Sequence, residues 1–317
     1  MNSNIQGVLF ALLGFALFST HDAVIKHLGG SYTAFQIIFF RTLLSFPLVT
    51  VLLMQDRTDA NLRPRHPWWI TLRTGSDMLA GAGAFYAFSV LPLAQVYAML
   101  FASPLLITIL AVPILGERVR LRRGLAVIVG LIGVLIVLRP GAMPISLGHL
   151  AALASALGGA TSSIVARKIG HEERSAVILL YPMMANFVVM GALMPFVYVP
   201  MPVIDFGGMT VVALFAIVAG LCIIVAYRKA EAVIVAPMQY SQILWAAFYG
   251  YLFFHESIDG YTALGIVVIV ASGLYIVFRE STSNASENRP VSHIRARPDA
   301  GPGTRLSTLF GRPRNAD

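Results

Sequence analysis

The chain has 317 residues, of which 57% are hydrophobic and only 12% charged, where an ordinary soluble domain carries roughly 25% charged residues. With a mean hydropathy of +0.76 it holds more apolar sequence than a soluble core can hide, and its single cysteine, Cys222, excludes a disulfide framework and a cysteine-based zinc site. The net charge of +8 raises nucleic acid as a partner, a question that the placement of the charges decides.

In chain order, apolar stretches long enough to cross a hydrocarbon core run over residues 5–28, 33–54, 68–91, 93–115 and 121–138, then over 147–168, 177–199, 208–228, 234–254 and 259–278. They predict an all-α membrane protein with ten transmembrane helices. The first stretch has no positive n-region and no small-residue cleavage site, and it continues through His21, Asp22 and Lys26. It therefore reads as a retained span rather than a signal peptide. Residues 281–317 turn to Ser, Asn, Pro, Gly and Arg, too polar to bury a core, and read as a disordered tail. The six arginines of that tail are spread rather than clustered, a weak signal for anionic lipid.

Assigned to alternate sides of these spans, nineteen of the 23 Lys and Arg fall on one side, including Arg57, Arg118, Arg120 and Arg167, and two, Lys26 and Arg139, on the other. Two more, Arg41 and Arg73, lie within spans. The positive-inside rule places both termini in the cytoplasm. The same distribution accounts for the basic charge without nucleic acid.

The sequence also repeats itself. Leu115-Gly116-Glu117 closes the fourth span and Phe254-His255-Glu256 the ninth, each followed by a span ending in arginine, Arg139 and Arg279, with Gly133 matching Gly273. This divides the chain into five-helix units at 1–140 and 141–280. Because five is odd, the second copy enters the membrane from the opposite side, giving an inverted repeat of the kind that places a midplane site between two halves.

Pro104 inside the fourth span, Gly-Glu-Arg at 116–118 and Ala-Glu-Ala-Val-Ile-Val-Ala-Pro at 230–237 resemble the EamA-type drug/metabolite transporter superfamily over roughly residues 6–279. Within it, His-Asp-Ala-Val-Ile-Lys at 21–26, Phe39-Phe40-Arg41 and Met-Gln-Tyr-Ser-Gln-Ile-Leu-Trp at 238–245 are similar to the subgroup of riboflavin importers of the RibN type, beside subgroups for S-adenosylmethionine and amino acids. The resemblance implies a secondary carrier of the bacterial inner membrane that takes up riboflavin or a similar aromatic solute. Export of amino acids, metabolites or drugs is the nearest alternative, and a homodimer is compatible with either.

Charges inside spans need partners, because each costs about 2.5–3.5 kcal/mol at the bilayer centre. Arg41 lies at a depth where it can meet Asp22 or Asp77, and Arg73 stands one turn from Asp77. The four read either as a structural lock on the first three helices or as a network in which one carboxylate titrates during transport. Glu117 and Glu256 stand at helix ends, where an anion is disfavoured, and read as structural caps of the following helix; His255 reads as a solvated interfacial group.

The fourth and ninth spans carry helix breakers, Pro104 and Pro113 in one, Pro237 and Gly250 in the other, which point to a transporter's site. Gln239 and Gln242 recur at helical spacing with Ala246, Tyr249 and Phe253, and Gln242 corresponds to Ser103. With Trp245, Tyr97 and Phe101 they offer a flat heterocycle both hydrogen bonds and stacking faces. The alternative is that the amides glue helices together. In the sixth span Ser155, Gly159 and Ser163 repeat every four residues as a close-packing face. No Walker A pattern, metal cluster, haem motif or nucleophile elbow occurs, so the chain is read as not an enzyme, with no cofactor and no metal. A membrane-embedded enzyme is the remote alternative, since the carboxylates lack His or Cys at a catalytic spacing.

Overall fold

A computed structural model describes residues 3–54, 62–117, 121–141, 144–170 and 172–282. Among them all regular structure is helical, as a membrane demands of a chain that must satisfy its own backbone. The helices are α1 (Ser3–Gly29), α2 (Ala34–Met54), α3 (Pro67–Val90), α4 (Leu93–Leu100), α5 (Ser103–Leu115), α6 (Leu121–Leu138), α7 (Leu147–Ile169), α8 (Ser175–Val197), α9 (Val203–Lys229), α10 (Ala232–Val235), α11 (Ser241–Phe254) and α12 (Gly260–Thr282), with a 3₁₀ turn at Ala236–Tyr240 before α11. Each of the ten expected spans is occupied by helix, and the fourth and ninth are each built from broken pieces.

Among the described residues six helical segments are long and apolar enough to cross a membrane, and Ala34–Pro47 and Gly124–Leu138 are shorter apolar helices. The two remaining spans fall short for visible reasons. Arg73, Asp77 and many small residues dilute α3, and the ninth span is interrupted. Boundaries shift where prolines set them: α9 starts at Val203, directly after Pro202, and not at 208. Arg57, Arg118, Arg120 and residues 283–317 lie outside the described residues. The expected onset of the tail at 281 falls inside the last turn of α12.

The halves correspond in register. A shift of 139 residues carries the fourth span, Leu93–Leu115, onto the ninth, 232–254, and carries the left-handed residue that ends α5, Gly116 (φ 70°), onto the one that ends α11, His255 (φ 53°). In each half the next amide returns to the carbonyl six residues back, Glu117 to Ala111 at 3.3 Å and Glu256 to Gly250 at 2.9 Å. This is a left-handed helix end, for which glycine is the easy choice and histidine a strained one. His255 is thus a helix terminator as well as an interfacial side chain.

Equivalent helices run antiparallel. The start of α4 meets the end of α11, where Leu93 N donates to Glu256 Oε2 at 2.9 Å. The end of α6 meets the start of α12, where Arg139 reaches Asp259 and Thr262. The start of α2 meets the end of α8, where Gln36 and Val199 exchange two bonds of 2.8 and 2.9 Å. A pseudo-twofold lying across the helices follows, and with it the inverted repeat. These contacts all lie at the end of the molecule remote from the termini, here the distal end; the other is the terminal end. At the distal end Tyr32 also donates to Asp205 at 2.6 Å, which pushes the Tyr32 hydroxyl up to about 12, and the Thr262 bond, followed by Arg139, holds Asp259 below the usual carboxylate range.

The tightest seams cross between the halves: α3 lies on α7, and α1 on α9. At the α3–α7 seam a Cβ at Gly158 would stand 2.6 Å from Ser76 O, and one at Gly83 would stand 2.5 Å from Ala151 O. The backbones therefore touch, and Ser155 Oγ donates to Ala80 O at 2.7 Å across the seam. Such close approach lets dispersion and interhelical hydrogen bonds replace a hydrophobic drive that lipid does not supply.

Candidate functional site

The first break follows from chemistry at residues 101–104. Phe101 N still reaches Tyr97 O at 2.9 Å and Ala102 N reaches Met99 O at 3.0 Å, but Pro104 has no N–H to continue the ladder, and a new helix starts at Ser103. Pro237 does the same at the second break, where the chain tightens into the 3₁₀ turn before α11. The two breaks meet: Phe101 and Tyr240, which are equivalents under the 139-residue shift, pack edge to face with ring centroids 5.1 Å apart. Tyr97 lies against Phe101 at 5.9 Å and Phe88 at 5.5 Å, in the largest buried cluster of the molecule.

Gln242, in the first turn of α11, is 1% exposed, and its Nε2 has no hydrogen-bond partner; neither has the buried Ser241 Oγ beside it. An unpaired buried amide costs about 1–3 kcal/mol, an expense that a folded chain seldom keeps without a use. Gln239 is half-buried in the 3₁₀ turn and Ser103 half-buried at the start of α5. Trp245 stacks on Tyr249 (6.1 Å, 25°) and Tyr249 on Phe253 (6.1 Å, 29°), a ladder along the partly exposed flank of α11. The Tyr249 hydroxyl is 2.8 Å from Thr20 Oγ1.

One turn of α1 touches both broken spans. Thr20 reaches Tyr249 of α11, and the buried Asp22 accepts a hydrogen bond from Tyr97 of α4, whose hydroxyl is also 3.4 Å from Ser19 Oγ. His21 Nδ1 lies 2.8 Å from the other Asp22 oxygen. Arg41 places its guanidinium 5.5 Å from the centre of the Phe85 ring. The charges expected to form one network on the first three helices thus extend further. Arg73 donates to Ser162 O at 2.7 Å, to Ser162 Oγ at 3.1 Å and to Ile178 O at 3.4 Å, and Ser162 Oγ in turn donates to Asp77 at 3.1 Å. Arg73 and Asp77 brace α3 on α7 and α8, while Asp22 belongs to the centre.

Among the described residues the two helix-end glutamates find their recorded partners in the opposite half. Glu256 pairs with Lys26 of α1 at 2.8 Å and caps α4, in the other half; Glu117 pairs with Arg167 of α7. Sequence reasoning named none of Ser19, Thr20, His21 and Tyr240 as a site residue. His21 and Tyr240 stand inside the motifs at 21–26 and 238–245, and Tyr240 is also the residue 139 places after Phe101.

Inverted five-helix halves around a pair of facing helix breaks define a multi-pass membrane transporter rather than an enzyme. The chain belongs to the EamA-like transporter family, whose model matches residues 5–139 and again 146–278. It is 24% identical over 289 residues to the S-adenosylmethionine uptake transporter of Rickettsia prowazekii, covering 91% of this chain and 98% of that one. It is 26% identical to a pseudopaline exporter of Pseudomonas aeruginosa (84% and 94% covered) and 27% identical to the riboflavin transporter of Rhizobium johnstonii (70% and 74%). A chain of known structure superposes with a TM-score of 0.58 at 17% identity, over 89% of this chain and 99% of its own.

Proposed function

We propose that the protein is a secondary carrier of the bacterial inner membrane, with both termini cytoplasmic, that takes up riboflavin or a similar aromatic solute by alternating access. The units 1–140 and 141–280 supply the inverted halves, and 281–317 the cytoplasmic tail. The observation that carries the reading is the buried, unpartnered Nε2 of Gln242, a fixed donor beside a break lined by aromatic rings. A solute bringing a ring carbonyl or ring nitrogen supplies the missing acceptor. Tyr97, Phe101 and Trp245 supply faces to stack against, and Gln239, Ser103 and Tyr249 supply further polar contacts.

Asp22 is the coupling group in this scheme. It is held by Tyr97 of one broken helix, on the turn of α1 whose Thr20 holds the other, so a change in its protonation alters the hold of α1 on the site. Arg41 serves it from α2, while Arg73 and Asp77 hold the scaffold. Riboflavin itself is neutral, so a positive uptake result with it, and a weak one with S-adenosylmethionine, follows from stacking plus one donor.

The test is uptake of labelled riboflavin and S-adenosylmethionine into cells lacking their own carriers, with and without this protein. Riboflavin accumulation that depends on the protein supports the reading. Accumulation of neither, with efflux of preloaded solute, supports export instead, the direction of the Pseudomonas relative.

A further inference from the structure

Glu117 and Glu256 are equivalent in sequence and lie at opposite ends of the molecule. Each is presented by the same turn, a helix end, a left-handed residue and an amide returning six residues. Each pairs with a cation near the C-terminal end of the first helix of the opposite half: Glu256 with Lys26 of α1 at 2.8 Å, and Glu117 with Arg167 of α7. α1 and α7 are themselves equivalents under the repeat. A carboxylate gains nothing from the helix C-terminus that presents it; it is held twice by the same turn and paired twice with a cation across the halves, and the cap that Glu256 gives α4 leaves the shared ion pair unexplained.

The geometry points to these two ion pairs as alternating gates of the transport cycle, Lys26–Glu256 closing the distal end and Arg167–Glu117 the terminal end. The inference rests on the alternating-access reading above. Both pairs are formed in this structure. All four side chains are 9–20% exposed, so each pair is less screened than a surface ion pair. The distal gate is wired to the site: Lys26 also donates to Leu91 O at 2.5 Å, and the second oxygen of Glu256 holds Leu93 N, the first residue of the helix that carries Tyr97. Breaking that gate frees the start of α4. At the other end Lys168 donates to Ile114 O at 2.8 Å, tying α7 to the last turn of α5.

The test reads access and not transport. In a Cys222→Ala background, a cysteine replacing Ser19, midway along α1, is labelled with a membrane-impermeant maleimide in intact cells and in inside-out vesicles. Glu256→Gln is expected to raise labelling from the distal side about fivefold and to lower it from the other, the shift that loss of a part-buried pair imposes on a two-state equilibrium. Glu117→Gln is expected to do the reverse. Where a glutamate variant is missing from the membrane, Lys26→Gln or Arg167→Gln breaks the same pair from its other partner. Shifts in the same direction in both variants, or none in either, overturn the gates. A background labelled from one side only overturns alternating access itself, and riboflavin failing as a solute leaves the labelling unchanged.

Discussion

The two broken spans have the same length, the same closing turn and breaks that touch, yet their side chains differ. At equivalent positions the first carries Leu100, Ala102, Ser103, Leu106 and Leu110 where the second carries Gln239, Ser241, Gln242, Trp245 and Tyr249. Tyr97, opposite Ala236, is the aromatic exception, while Gln95 and Thr108 stand opposite Ile234 and Ala247. Under the alternating-access reading proposed above, the backbone is symmetric because both access states demand it. On the same reading, the hydrogen-bonding and stacking groups are concentrated in one half because a solute of low symmetry needs them once.

The largest effect expected falls on the exception. Tyr97→Phe leaves the buried Asp22 without its hydroxyl donor; a bond to a charged acceptor is worth about 1.5–3 kcal/mol, so initial transport rates should fall by roughly tenfold to a hundredfold while protein remains in the membrane. A rate within twofold of the parent removes Asp22 from the cycle.

Next comes the symmetric part. Pro104→Ala and Pro237→Ala each restore an amide and let the broken helix straighten, and each should slow transport by about tenfold. A loss confined to one of the two contradicts a shared mechanical role.

The asymmetric part follows with opposite signs in two measurements. Gln242→Leu removes an unpaired donor and should raise the melting temperature of the purified protein, by the few degrees that about 1 kcal/mol gives. It should also raise the apparent KM about fivefold. Packing glue predicts a lower melting temperature and an unchanged KM. The smallest effect belongs to the apolar break, where Ser103→Ala should change KM by about twofold or less.

The ten helices and the repeat were legible because the signals are local: an apolar run of fixed length, a proline, a Gly-Glu or His-Glu after a helix. The breaks were legible from Pro104 and Pro237 for the same reason. The partners were not. Helical spacing tells that Arg73 and Asp77 share a face but not that Ser162, 85 residues beyond Asp77, joins them. A charge at a helix end tells nothing of Lys26, which reaches Glu256 from the opposite half. The αL state of His255 was hidden because histidine, unlike Gly116, gives no hint of it.

The backbone contact between Gly158 and Ser76 belongs to a seam that joins helices of opposite halves, as does the α1–α9 seam. A five-helix half synthesised alone would therefore expose two strips of bare backbone that lipid chains fill badly, and only a copy inserted upside down presents the matching strip. Joining both orientations in one polypeptide removes the search of each half for an inverted neighbour in the plane of the bilayer. It also leaves the later half free to change its side chains while the earlier one keeps the frame.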